Sequence, residues 1–507
     1  MNKKTAIIDI GSNTVRLVIY KYDDEGTLHE LANMKKVARL RSYIEEDGVM
    51  NAQGVEVLKE LLLQYKQILA DFDVPHVYAA ATAAVRQATN HEEIVWTMQE
   101  ETGIELKVLT EEQEAYFGFM AVAYSLATSS AITIDMGGGS TEITLFENKV
   151  LQHTHSFPFG TVSLKQKFIA GDKMTDSERK ALIAYVKEQF ESLPWIVDRH
   201  LPIIGIGGSA RNVAQIQQQR IKYPLSGVHQ YEMTKQEMDD LAQFLWPLTF
   251  EELNQLEGLS SDRADIILPA LDVFRTLMDV VHTGAFQFSK KGLREGIIIN
   301  QILQESPDAY NKYDVFHEHS RRLAASFGRS EAEQQHVDYL VTTLYRQTCE
   351  EFGLVRMERE LEMIRGAAPL YHIGEFIEQD AASQHTFYLI ANQSIPGIKH
   401  RERLRMALIA SYKNRGQLEQ LLVRYQDWLS KDEIKEVRML GSVLKFIHAL
   451  NISKRQIIQD VVLKNLEDVV EITFTTTQLA AAESYAAERQ KKHIERVFKK
   501  PVTLVFQ

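Results

Sequence analysis

Residues 131–146 read AITIDMGGGSTEITLF, and residues 5–20 read TAIIDIGSNTVRLVIY. Each is an apolar strand ending on aspartate (Asp135, Asp9), then a turn, then a second alternating strand. The turns are Gly137, Gly138, Gly139, Ser140 and Thr141 in one case and Gly11, Ser12, Asn13 and Thr14 in the other. Both suit phosphate: glycine lets the backbone approach an anion with successive N–H groups aimed at its oxygens, and the hydroxyls add donors. A carboxylate at a strand end can hold a hydrated divalent metal. A single such hairpin reads equally well as an ordinary tight turn capped by its Asp. Two of them predict two related lobes that close on a phosphate chain from opposite sides.

The 507 residues are too many for one core, and three or four domains are expected. The single cysteine, Cys349, excludes an intramolecular disulfide framework and fits a reducing, cytoplasmic setting. MNKK runs straight into a patterned strand, unlike a signal peptide, and no apolar run reaches spanning length. No membrane partner is therefore expected. The formal charge of −12 argues against nucleic-acid binding, so a polyanion must be drawn in by local basic groups.

Strand and helix signals alternate through residues 1–123 and again through 124–303, which predicts two α/β lobes. Helices are expected over 51–72 and 84–102, with strands at 76–82 and 103–110. Thr110 and Gln113 have the spacing of a capping box opening a helix at Glu111. Residues 307–450 carry helical periodicity with little glycine, and 451–507 read as a small α+β module.

Several further elements follow in order: ATAAVRQATN (81–90), an E-x-E-A element (112–115), DMGGGSTE (135–142), FPFGTVSL (157–164), GIGGSARN (205–212), LSSDRADIILPA (259–270) and GLREGI (292–297). With the paired hairpins, they resemble the actin, sugar-kinase and chaperone-ATPase superfamily. More narrowly, they resemble its exopolyphosphatase and guanosine-pentaphosphate phosphohydrolase family, closely over 1–300 and more loosely beyond. The resemblance implies two actin-like lobes, a helical HD-like domain and a C-terminal module, assembled as a homodimer.

Residue types alone leave the general base open among Glu111, Glu112 and Glu114, since a helix N-terminus favours acids anyway. The family's Glu-Glu-Ala triplet assigns the role to Glu114, with Ala115 fixing the register and Gln113 departing from the pattern. The resemblance also makes Asp135 and Glu142 the ligands of Mg2+ (or Mn2+), with Asp9 helping from the facing lobe. Arg86, after a buried strand, has a guanidinium suited to phosphoryl oxygens. Gly207, Gly208 and Ser209 read either as a third phosphate turn at a helix N-terminus or as a close packing turn.

In the helical segment, His317, His372 and His385 fall near HD positions. Ile373 stands where the His-Asp carboxylate belongs, and Ser383 and Tyr412 stand where the family has His, which favours a scaffold. The basic runs 399–405 and 491–500 read as solvated faces or as a channel leading a polyanion to the lobes. The expected activity is stepwise release of terminal phosphate from inorganic polyphosphate. Hydrolysis of guanosine pentaphosphate (pppGpp) is the near alternative, and a non-catalytic polyphosphate or nucleotide sensor the distant one.

Overall fold

The computed structural model describes residues 3–23, 26–171, 173–354 and 358–507. They form two compact units, one of 1–223 with 228–313 and one of 224–227 with 314–507.

The first unit holds two sheets built to one plan. β1 (Lys3–Ile10), β2 (Thr14–Tyr22), β3 (Leu28–Val37), β4 (His76–Ala81) and β5 (Leu106–Val108) lie in the order β3-β2-β1-β4-β5. β6 (Ala131–Met136), β7 (Thr141–Glu147), β8 (Val150–Phe157), β9 (Ile203–Ile206), β10 (Glu232–Thr234) and β11 (Ala285–Phe288) lie in the order β10-β11-β9-β6-β7-β8. In each sheet the first strand is antiparallel to the second and parallel to the strand that follows a helical crossover. Without the edge strand β10 the two orders are equivalent, so the repeat read in the hairpins extends to the whole lobe. The strands before each turn are buried, as their apolar runs require. In the second lobe Phe157, Phe190, Phe274, Phe286 and Phe288 fill the core, each adding about 1.5–3 kcal/mol by burial.

The segment expected as one helix after Ala83 is two, Ala83–Arg86 and His91–Thr102. Between them the Asn90 side chain bonds the backbone N–H and C=O of Met50, both at 3.0 Å, and diverts the chain from a continuous helix. β5 is shorter than 103–110 because Gly103 (φ 73°) ends the preceding helix and Thr110 caps the next. The capping box is present: Thr110 Oγ1 accepts from Gln113 N at 3.2 Å, and Gln113 Oε1 from Thr110 N at 3.0 Å.

The helix Leu293–Glu305 ties the two lobes together, and the expected boundary at 303 falls inside it. Its Ile297, Ile298 and Ile302 join Ile7 and Val18 of the first lobe, while Ile299 joins Ile204 and Ile206 of the second. It lies so close to the helix Glu111–Ala123 that a Cβ at Gly296 would sit 1.8 Å from the carbonyl oxygen of Phe117.

The second unit comprises helices from Val315 to Leu450, then a sheet of order β12-β13-β14, with β12 (Ile458–Asn465), β13 (Val470–Thr476) and β14 (Val502–Phe506). The basic run 399–405 is not a charged face. Arg403 and Arg405 are buried, Arg403 donating to the carbonyls of Gln393 and Ser226 and Arg405 pairing with Glu436. Arg401 forks onto Glu433. Helical periodicity turns alternate basic residues inward, which the composition of the run conceals. In the run 491–500, Lys491 pairs with Glu488, and Lys500 donates to Asn465 and Leu466. The histidines are dispersed: His317 contacts Asp314 and Glu362, whereas His372 stacks on Tyr371. Among the described residues no helix is long and apolar enough to cross a membrane.

Candidate active site

The two hairpin turns face each other across a cavity of about 360 Å3. Each is closed by the same hydrogen bond at 3.0 Å, Gly11 N–H to Thr14 O and Gly137 N–H to Ser140 O. A Cβ at Gly138 would lie 3.3 Å from Ser12 Cβ, so the turns nearly touch. Asp9, Gly11, Ser12, Asn13 and Thr14 line one wall, and Asp135, Gly137, Gly138, Gly139 and Ser140 the other. Gly207 and Gly208 bring a third turn at the N-terminus of the helix Gly207–Arg220. Gly207 has φ 86°, and a Cβ there would lie 2.7 Å from Asp135 Oδ1. Glycine is therefore required both for the turn and for room beside that carboxylate.

Glu114 enters from the first turn of its capped helix and lines the cavity, whereas Glu111 and Glu112 are exposed. The fold thus separates the three carboxylates that residue types left equivalent. Arg86 Nη1 donates to Glu114 Oε2 at 2.9 Å and to Leu109 O at 3.0 Å. Burial raises the Glu114 carboxyl above the usual range and Arg86 opposes the shift. A raised carboxylate pKa improves a general base near neutral pH.

Asp135 and Glu142 are directly opposed across β6 and β7, which puts both side chains on one face. Burial, then Glu114 and Asp9, push Asp135 up to about 7, and burial, Glu114 and Asp135 push Glu142 well up. Glu142 stands behind the cavity wall and accepts from Ser156 Oγ at 3.0 Å. Glu142 is buried and Asp135 half-buried, and with Glu114 already paired to Arg86, the repulsion between Asp135 and Glu142 is relieved by a cation or by protons. Among the described residues no three His, Cys, Asp or Glu converge as a cage. Mg2+ does not need one, since it commonly takes one or two carboxylates with water and substrate phosphate. The donor set fits that ion.

Three expected contacts differ. Arg86 is held behind Glu114 and is not among the residues that line the cavity, so its guanidinium positions the glutamate. Thr141, the first residue of β7, donates its hydroxyl to Phe159 O at 2.7 Å and is not among the residues that line the cavity. Ser209 Oγ is buried and accepts from Arg263 Nη1 at 3.1 Å, orienting that arginine.

The cations on the cavity wall were not assigned in the sequence. They are Arg16, Lys35, Arg211, Arg263, Lys290, Lys291 and Arg294, against the acids Asp9, Glu114 and Asp135. A strongly positive cleft thus sits in a chain of charge −12. Burial lowers Arg16, Arg211 and Arg263 from the usual guanidinium range, and Arg294 lowers Arg16 and Arg211 further. Crowded buried guanidiniums are relieved by an anion. Arg211, Arg263 and Arg294 fall inside GIGGSARN, LSSDRADIILPA and GLREGI, the signal from which they were recoverable.

A duplicated α/β unit with glycine turns, basic side chains and buried carboxylates around one cleft defines a phosphate-handling enzyme. The chain belongs to the Ppx/GppA phosphatase family, whose model matches residues 18–305, with the model of the family's domain III matching 317–492. It is 24% identical over 421 residues to the guanosine-5'-triphosphate,3'-diphosphate pyrophosphatase of Vibrio vulnificus, covering 81% of this chain and 80% of that one. A crystal structure of the Aquifex aeolicus member of the family matches with TM-score 0.54 and 28% identity, over 60% of this chain and 99% of that one. The fold is also that of an exopolyphosphatase from Cytophaga hutchinsonii, at TM-score 0.55 and 23% identity, over 59% and 98% of the two chains.

Proposed function

We propose that this phosphatase removes the terminal phosphate of inorganic polyphosphate, processively, releasing orthophosphate. The observation that carries the reading is the cavity itself. It sets Glu114 and Asp135 against glycine turns and seven basic side chains, and no aromatic ring lines it among the described residues. Such a surface binds successive phosphates and offers no stacking platform for a base.

In this reading Glu114 accepts a proton from a water whose oxygen attacks the terminal phosphorus in line. The bridging P–O bond breaks, and its electrons leave on the shortened chain. Arg86 keeps the Glu114 carboxylate oriented, and the turns at 11–14 and 137–140 with Arg16, Arg211, Arg263 and Arg294 hold the phosphate oxygens. Asp135 and Glu142, directly or through water, would hold Mg2+ or Mn2+, which when bound neutralises charge on those oxygens. Phosphoryl transfer asks chiefly for positioning and charge stabilisation, and these groups supply both.

A second reading, hydrolysis of the 5′ γ-phosphate of pppGpp, is favoured by relatives named as guanosine-5'-triphosphate,3'-diphosphate pyrophosphatases that match most of both chains. Phosphate release with Mg2+ from polyphosphate, pppGpp and ATP separates the two. Turnover highest on polyphosphate is expected. Release from pppGpp alone replaces the first reading with the second, and no release from any substrate returns the protein to a sensor.

A further inference from the structure

On the far side of the first turn lies a second chamber of about 620 Å3. It shares Ser12, Asn13 and Ile266 with the cavity that holds Glu114, so the two adjoin across one turn. Its charged wall is formed by Arg39, Arg41 and Lys165 with Asp262 and Asp265. Part of that charge cancels locally: Lys165 meets Asp265 at 2.8 Å, and Lys35 meets Asp262 at 2.6 Å. Arg39 and Arg41 are left without a carboxylate partner among the described residues, Arg41 Nη1 donating instead to neutral Gln87 Oε1 at 2.8 Å.

The two arginines are fixed to the turn. Ala38 N–H and Arg39 N–H donate to Asn13 O at 3.0 and 2.9 Å, and Arg41 N–H donates to Ser12 O at 3.1 Å. Arg39 itself is held left-handed, at φ 49° and ψ 41°, which costs an arginine free energy that the surrounding structure must supply. Three backbone bonds and one unfavourable conformation thus register two uncompensated guanidiniums against the segment that faces phosphate on its other side. Guanidinium forks match phosphate oxygens, and a pocket with two of them whose acids, Asp262 and Asp265, are already paired with Lys35 and Lys165 favours anions.

We infer that this chamber is a distal phosphate subsite, which takes phosphate groups of the substrate beyond those held in the cavity of Glu114. The inference rests on the polyanion reading above. A triphosphate ends within the first cavity, whereas a long chain occupies both chambers. Released orthophosphate shares the same chemistry and is the competing occupant.

The test compares wild type with Arg39→Gln/Arg41→Gln on tripolyphosphate and on long-chain polyphosphate, with Arg39→Lys/Arg41→Lys as the charge-conserving control. Loss of two charge-assisted contacts predicts a fall of about tenfold or more in kcat/KM on the long chain, with tripolyphosphate unchanged within about twofold. The lysine control should recover part of the loss, and the loss should shrink as salt rises. Equal losses on both substrates, or none on the long chain, overturn the subsite. So does weaker inhibition by inorganic phosphate with long-chain turnover intact, which makes the chamber a product site. Calorimetric titration with long-chain polyphosphate reads the same contrast without turnover. A wild type inert towards phosphate chains overturns the functional reading, whereas equal affinities of wild type and the glutamine variant overturn the subsite alone.

Discussion

The two hairpins share strand order, turn hydrogen bond and the aspartate before the turn, but they differ at the residue opposite that aspartate. Asp9 is paired across the strands with Arg16, and Asp135 with Glu142. In the first lobe the carboxylate is met by a guanidinium on its own hairpin, and by Arg294 at 3.5 Å. In the second, two carboxylates stand side by side with Glu114 near them. Burial raises all three, as it raises Asp9, but neighbouring carboxylates push Asp135 and Glu142 further, whereas Arg294 and Arg16 oppose the shift of Asp9. One scaffold copied twice has thus become an anion-facing turn on one side and a cation-seeking pair on the other. In the proposed function a phosphate chain with its divalent counterion would use both, and the charge at one cross-strand position makes the difference.

The sharpest way to break this comparison is to remove Glu114, the proposed base on the acidic side. Glu114→Gln is isosteric and deletes only the basic oxygen, so kcat should fall by about a hundredfold or more with KM little changed. Steady-state kinetics check it; retained turnover would move the base elsewhere and leave Glu114 as a partner for Arg86.

Asp135→Asn and Glu142→Gln address the cation-seeking pair itself. Each should raise the Mg2+ concentration at half-activity by about tenfold, since a hydrated ion is held by few protein oxygens. Mn2+ binding followed by electron paramagnetic resonance gives the same answer without turnover, and an unchanged titration in both variants removes them from that role.

Arg16→Gln is the matching change on the first hairpin. KM for polyphosphate should rise several-fold, to about tenfold, through loss of one charge-assisted contact. The Mg2+ dependence should stay as in wild type. A shift in Mg2+ dependence as large as that of the second hairpin's variants would end the proposed division of labour.

The smallest effect is expected at Thr110→Ala. Loss of the cap should destabilise the helix that carries Glu114 by about 1 kcal/mol, lowering Tm by a few degrees. Activity should fall only modestly, because Arg86 still holds the carboxylate. Thermal unfolding with parallel kinetics reads both.

Much of the site was legible because phosphate chemistry writes itself into short stretches. Glycine turns, a strand-end acid and a capped helix are local features, and ten of the turn residues named from the sequence do line the cavity, Gly11–Thr14, Gly137–Ser140, Gly207 and Gly208. Arg86, Thr141 and Ser209 came from equally suitable stretches, yet their side chains are committed to Glu114, Phe159 and Arg263. The basic run at 399–405 misled for the same reason, since composition does not say which arginines a helix turns inward.

What the sequence determined by itself is the duplicated strand–turn–strand device and the family to which it belongs, because both depend on residue order over a few positions. The family resemblance had already singled out Glu114 among the carboxylates of 111–114, and the tertiary structure places it in the cleft and decides which cations meet it. Arg16, Arg211, Arg263 and Arg294 come from four separate segments of the chain, and they share a cavity because two sheets of equal topology are clasped by the helix Leu293–Glu305. Convergence of that kind is a property of packing over long sequence separations: short motifs mark the segments that carry Arg211, Arg263 and Arg294, but not that they meet in one cavity.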